Sequence, residues 1–459
     1  MSRAIVIGGG PNGLAASITL AQAGHDVTVV ESRSEVGGRC GLLHDTSLVQ
    51  QSLASTLGLD VEWTAAAPLS QAMPDGVRVI DDSTPGVGEW RRGMAGAARL
   101  VAQLAAVAPP DIRKNASPLT LIGPALAALK LGRAGGLELA RFGPMCAEDW
   151  LDEWGIERTA QAALCAPALQ GTWMGPRSPT SALAVLTHYA FAGQQVAGGM
   201  KALLSALTAR ASALGVSILT DSRVAEIQIE DGSVSGVLLG DERTLAADVV
   251  LSTVGPRLTL MELVDAQSLP FGLEAAVTNV RTRGIVAVMT GAVSSPLFDG
   301  AERVIVADNT ESLERAFDDA KHRRVPSRPC LDVSQVNGVI KVLVYGAPID
   351  IDGGWTDEAK VALQKNVLAV LAEYTETNSL TDATLLTPAD LESEYGLEGG
   401  HLYHGEFALD QFLSFRPHPS LCRYKTPISG LLLGGAGMHP AGGFTLAQGV
   451  LSAQAVGRP

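Results

Sequence analysis

Apolar residues in this chain follow two rhythms. The short runs Ala4-Ile5-Val6-Ile7, Val27-Thr28-Val29-Val30 and Ala247-Asp248-Val249-Val250-Leu251-Ser252-Thr253 predict buried strands. Between the first two lies Leu14 to Ala23, apolar at 14, 18 and 21 with small residues between, and closed by Gly24. That spacing predicts a helix with its stop signal. A second helix is expected up to about Leu214, then a strand Val216–Leu219. Alternation over 224–229, the turn Glu230-Asp231-Gly232 and the run Val234–Val237 predict a hairpin. Thr356 to Thr377 reads as a structural helix, with Val361, Leu368 and Leu371 as its apolar positions. Pro118 to Leu129 is strongly apolar and ends in Lys130 and Arg133. We expect a core or pocket-lining helix there. A peripheral membrane or partner contact is the second reading, because a basic face is nearly absent.

The turn after the first strand carries candidate chemistry. Gly8-Gly9-Gly10-Pro11-Asn12-Gly13 stands between strand and helix, and the second strand ends in Glu31-Ser32. Gly8 permits a tight turn, Gly10 lets backbone N–H groups approach a pyrophosphate, and Gly13 lets the helix pack close. The helix N-terminus favours phosphate. Glu31 can accept from both hydroxyls of an adenosine ribose. Strand, turn, helix, strand and acid occur in the order a dinucleotide needs, so the class is α/β with a Rossmann-type domain.

The continuation Ser34-Glu35-Val36-Gly37-Gly38-Arg39 resembles the signature of the amine-oxidase and phytoene-desaturase flavoprotein superfamily. Near the C-terminus, Gly430-Leu431-Leu432-Leu433-Gly434-Gly435-Ala436-Gly437-Met438-His439-Pro440-Ala441-Gly442-Gly443 resembles the closing motif of phytoene desaturases and carotenoid isomerases. Leu409-Asp410-Gln411-Phe412 and Phe415-Arg416-Pro417 look most similar to the superfamily branch called pyridine nucleotide-disulfide oxidoreductase domain-containing protein 2. The resemblance spans three blocks, 4–41, 195–256 and 400–457. It implies tightly bound FAD, with Arg39 approaching the pyrophosphate and the backbone at Val224 clamping the adenine. It also implies that Gly435, Gly437, Met438, Gly443 and Phe444 face the flavin, where a helix N-terminus stabilises negative charge. The implied organisation is an FAD-binding domain from 1–59, 195–256 and 400–459, with a discontinuous α+β substrate domain from 60–194 and 257–399. The chain departs from the family pattern at Asp45-Thr46-Ser47-Leu48, so the pocket wall is expected to differ.

Composition narrows the partners. The net charge is −14 and no basic stretch could neutralise phosphates, which argues against nucleic acid. Five scattered cysteines without a CxxC pair suggest reduced thiols in a cytoplasmic protein, and no metal-ligand spacing appears. The N-terminus lacks a signal-peptide layout, and no run is long enough to span a membrane.

No nucleophile elbow or triad is readable, so redox power must come from the flavin. The reading is a dehydrogenase or desaturase acting on an apolar or secondary-metabolite small molecule, with oxygen, a quinone or another acceptor reoxidising the flavin. The alternatives are an amine or amino-acid oxidase, a redox-neutral flavin isomerase, and a non-catalytic flavin-binding protein. His439, and less so His404, are candidate bases. Arg177 and Arg416 are candidate carboxylate binders, and Trp173 a candidate cavity wall.

Overall fold

The computed structural model of the chain describes residues 2–113, 117–191, 193–441, 443 and 445–459. Phe444 therefore lies outside the described residues. The apolar runs form a five-stranded parallel sheet, in the order 431–433, 249–252, 3–7, 26–30, 217–219. Arg3–Ile7 sits in the middle, with later strands added on either side of it. The point where strand order reverses is thus the carboxyl end of that strand, beside Thr253, where open α/β sheets hold their ligands. The helix Pro11–Ala23 follows, and Gly24 ends it in the left-handed region with its N–H on Ala21 O and Leu20 O. Helix Ala447–Val456 packs on it through Gly449, where a Cβ would collide with Asn12 O.

The hairpin is present as Val224–Glu230 and Ser233–Leu239, with Asp231 and Gly232 both at positive φ as a tight turn of matching twist requires. A seven-stranded sheet runs in the order 380–386, 286–293, 339–345, 330–336, 303–306, 70–73, 76–79. It is antiparallel except where 303–306 meets 70–73. The strands 303–306, 330–336 and 339–345 alternate in the residues they present to each face. Val304, Val306, Leu331, Val333, Ile340, Val342 and Val344 enter one core with Leu363, Val367, Val370 and Leu371 of the helix Asp357–Ala372. Of the expected apolar positions on that helix, Leu371 is buried in this core, whereas Val361 is 64% exposed and Leu363 and Val367 take the buried places. The opposite sheet face carries Arg303, Asp332, Ser334, Lys341 and Leu343, with Arg303 opposite Ser334, and Asp332 opposite Leu343.

A helical cluster around Trp90, Phe142 and Trp150 forms a further core. The segment Pro118–Leu129 does not belong to it. Its structure is a 3-10 turn, Pro118–Leu121, running into the helix Ile122–Phe142. Leu119 and Leu129 are each 73% exposed, so the expectation of a core or pocket-lining helix is corrected. The helix Val87–Ala105 lies alongside but meets the other side, at Leu131 and Gly96.

Candidate functional site

The glycine turn is shaped by backbone contacts. Gly8 has φ +99°, and Thr253 Oγ1 bonds Ile7 O at 2.9 Å beside it. A Cβ at Gly13 would collide with Gly8 O, so only glycine lets the helix start so close. At Gly10 a Cβ would meet no protein atom within 4 Å, and no side chain caps the helix that Pro11 begins. Open space before an uncapped N-terminus is what a pyrophosphate requires.

Glu31 is buried at the strand end. Its Oε2 accepts from Gly9 N at 2.7 Å, and its Oε1 from Arg33 N at 2.9 Å and Ser32 Oγ at 3.2 Å. The carboxylate thus braces the turn, a role that sequence reasoning missed. Asn12 likewise has a packing role, accepting from Gly449 N at 3.4 Å. Ser222 N and Asp221 N bond to Glu31 O and Arg33 O, which brings Val224 to the same strand end.

Gly37 and Gly38 both occupy the left-handed region, and Gly37 N bonds Gly9 O at 2.9 Å, tying this loop to the first turn. A Cβ at Gly38 or Gly41 would meet nothing within 4 Å. Arg39 is buried, with its guanidinium 5.2 Å from the Tyr403 ring, and burial lowers its pKa. On the closing loop, a Cβ at Gly435 would strike Thr253 O, and one at Gly437 would lie 2.6 Å from Pro256. Met438 is buried and Gly443 abuts Leu48. The two glycine loops, the loop at Gly37 and Thr253 therefore meet around the carboxyl end of the strand Arg3–Ile7.

Tyr403, whose ring Arg39 faces, also lines a cleft enclosing about 830 Å³ of space, part of it open to solvent. Its floor is the polar face of the seven-stranded sheet. Its roof is Leu42–Asp45 and Leu48, with Pro167, Ala168, Ala184, Tyr403 and Phe407. One corner is charged. Arg303 donates to Asp332 Oδ1 and Oδ2 at 2.9 and 2.7 Å, and to Asp45 Oδ2 at 2.6 Å. Gln170 Nε2 donates to Asp332 Oδ2 at 2.7 Å. Burial pushes the Asp45 carboxyl up, but Arg303 and the Ser47 hydrogen bonds outweigh it and hold the group below its usual range. Burial would lower Arg303, but Asp332 and Asp45 hold it above its ordinary value. His188, beside them, is pulled down to about 4 by burial and by Arg303, so it is neutral. Lys341 donates to Leu43 O at 3.1 Å, and burial lowers its pKa.

Sequence reasoning expected an altered pocket wall at Asp45 but did not find Arg303, Asp332 and Gln170, which complete this corner. The available signal was a charged residue at an inward position of an alternating strand, Arg303 in RVIV and Asp332 in CLDVSQV.

The residues that were singled out lie elsewhere. His439 is buried against Leu104 O at 3.1 Å, is drawn down to about 4 by burial, and does not line the cleft. His404 sits between Gly255 and the closing loop, lowered to about 3 by burial and the nearby Arg39 and Arg416. Arg177 pairs with Glu148 and Glu311. Arg416 is sealed inside, donating to the carbonyls of Met438, Glu406, Gly405 and Ala436 at 2.9–3.1 Å. Burial takes its pKa to about 10. Neither arginine reaches the cleft. Trp173 lies under the Arg283 guanidinium and meets Phe317 edge to face, while Gln170, Gly171 and Thr172 do line the cleft.

Comparison with known proteins agrees with the fold. The family described as FAD dependent oxidoreductase matches residues 3–305. Pyridine nucleotide-disulfide oxidoreductase domain-containing protein 2 of Rattus norvegicus is 30% identical over 371 residues, covering 72% of this chain and 64% of that protein. The chain therefore spans less than two thirds of that relative's length. A lycopene-forming phytoene desaturase of Paracoccus sp. is 26% identical over 505 residues, covering 96% of this chain and 94% of that one. Among solved structures, putrescine oxidase bound to putrescine superposes with a TM-score of 0.59 at 17% identity, covering 99% of this chain and 98% of that one. An oxidoreductase of Methanosarcina mazei gives 0.57 at 17%, covering 99% of both chains. At those identities the likeness is one of fold.

Proposed function

The chain belongs to the FAD dependent oxidoreductase family, and from that premise we propose that it removes a hydride from a largely apolar small molecule held in the cleft that Tyr403 lines. The observation that carries this reading is the cleft itself, apolar over most of its roof and polar in one corner, adjoining the loops at Gly37–Arg39 and Gly443. We assign the sheet containing Arg3–Ile7 to the FAD-binding domain and the seven-stranded sheet to the substrate domain. Gly8, Gly10, Pro11, Asn12, Gly13, Glu31 and Ser32 would hold the adenosine and pyrophosphate end, with Val224 beside the adenine. Gly37, Gly38, Arg39, Gly435, Gly437, Met438 and Gly443 would surround the remainder.

Bound FAD would supply the two-electron acceptor. The chain's own part is to orient the substrate and exclude water, with Leu42, Leu43, Leu48 and Phe407 gripping an apolar body. The corner at Asp45, Arg303 and Asp332 would fix a polar group at one end. We assign His439 to positioning the closing loop, since it is buried and bonded to a backbone carbonyl.

A second reading has one observation in its favour. The corner holds two carboxylates against one guanidinium, which suits an ammonium group better than a carboxylate. That supports an amine over an amino acid as the alternative substrate. The test is anaerobic bleaching of the flavin in the holoprotein with three probes: an apolar alkene, a secondary alcohol and an aliphatic diamine. Bleaching by the first two and not the third supports the proposal. Bleaching by the diamine alone moves the assignment to amine oxidation, and none by any of the three refutes both.

A further inference from the structure

Outside the cleft one surface is apolar and uncovered. The helix Ile122–Phe142 breaks at Gly132, which has φ 73° and ψ 171°, so its first half is a separate short rod. From Pro118 to Leu131 the only charged residue is Lys130. A segment this apolar is ordinarily buried. Here Leu119, Ile122, Leu126 and Leu129, spaced by three, four and three, are 73%, 51%, 56% and 73% exposed. Single exposed leucines need no explanation, but a row on one face marks a contact surface.

Charge identifies what the row faces. No Asp or Glu occurs between Asp111 and Glu138, although the chain as a whole carries −14. Across 110–142 five cations stand against two anions. Among the described residues, Arg113 and Arg141 are paired with carboxylates, while Lys130 and Arg133, at the end of the leucine row, make no ion pair. A locally cationic apolar patch on an anionic protein is complementary to an anionic lipid surface. A second copy docked face to face would bring Lys130 and Arg133 of both chains together. Among the described residues no helix is long and apolar enough to cross a membrane, so the contact lies on the bilayer rather than through it.

We propose that the face formed by Leu119, Ile122, Leu126 and Leu129 docks the protein on an anionic phospholipid bilayer, with Lys130 and Arg133 at the headgroups. The test is co-sedimentation of the FAD-loaded protein with vesicles of phosphatidylcholine alone and with added phosphatidylglycerol. Binding should be at least about tenfold stronger to the anionic vesicles and should weaken as salt is raised. The variant Leu126→Glu/Leu129→Glu should lose at least about tenfold in binding. Because both side chains are exposed, its flavin content and melting temperature should match wild type. Absence of wild-type binding to either vesicle, equal binding to both, or unaltered binding by the variant overturns the proposal. A wild-type dimer that the variant converts to monomer in sedimentation velocity, without vesicle binding, assigns the face to a second copy instead.

Discussion

Replacing Arg303 with methionine tests the charged corner most directly. The guanidinium side chain is 15% exposed and Asp332 only 3%, whereas Asp45 is 27% exposed and can be hydrated. Removing the cation leaves Asp332 buried, with Gln170 as its remaining side-chain donor. Breaking a buried pair from one side costs about 3–5 kcal/mol, because an uncompensated charge stays behind. The surviving Gln170 bond and the hydration of Asp45 place the expected loss near the low end, about 3 kcal/mol. Adding Asp332→Leu removes the stranded carboxylate. The double variant should therefore be at least about 1 kcal/mol more stable than the sum of the single losses predicts. Urea unfolding of wild type, both singles and the double, followed by tryptophan fluorescence, measures the cycle. A loss under about 1 kcal/mol for Arg303→Met, or strict additivity, would refute the claim that Arg303 neutralises Asp332 inside the cleft.

Gly10→Val should leave the apoprotein folded, because nothing in the protein occupies the space its side chain would enter, yet FAD retention on gel filtration should collapse. Full flavin occupancy in that variant would displace the cofactor from the turn. Arg416→Met strips the donor from four buried carbonyls and should lower stability by about 3 kcal/mol, detected as a fall in melting temperature with flavin release; an unchanged melting curve counts against its bracing role. His439 has a folded pKa of about 4 against an unfolded value of about 6.5. Between these, the unfolded chain takes a proton that the fold refuses, so its contribution is lost as pH drops through that window, by about 2 kcal/mol at pH 5. His439→Gln should flatten that part of the stability-pH curve while leaving flavin reduction per bound FAD unchanged. An identical slope in wild type and variant, or a large drop in reduction rate, would contradict this role.

The sequence by itself determined the elements whose causes are local. The glycine turn, the helix that Gly24 stops, the Asp231-Gly232 hairpin and the closing strand each follow from backbone geometry and apolar period, which depend on near neighbours. They fall where expected to within a few residues. The identity of the FAD-type fold was legible for the same reason, since one groove needs those few residue types at fixed spacing. What only the tertiary structure decided is everything made by residues distant in the chain. Asp45, Gln170, Arg303 and Asp332 meet because a roof loop, a helix end and two strands of one sheet converge on the cleft, and no local pattern encodes that meeting. Arg416 read as a ligand-binding cation until its donors were seen filled by backbone carbonyls. The apolar stretch at 118–129 read as core because apolar period reports what a segment would gain by burial; whether neighbours are there to bury it is settled only by packing. In this fold they are not, and that row of leucines faces outward.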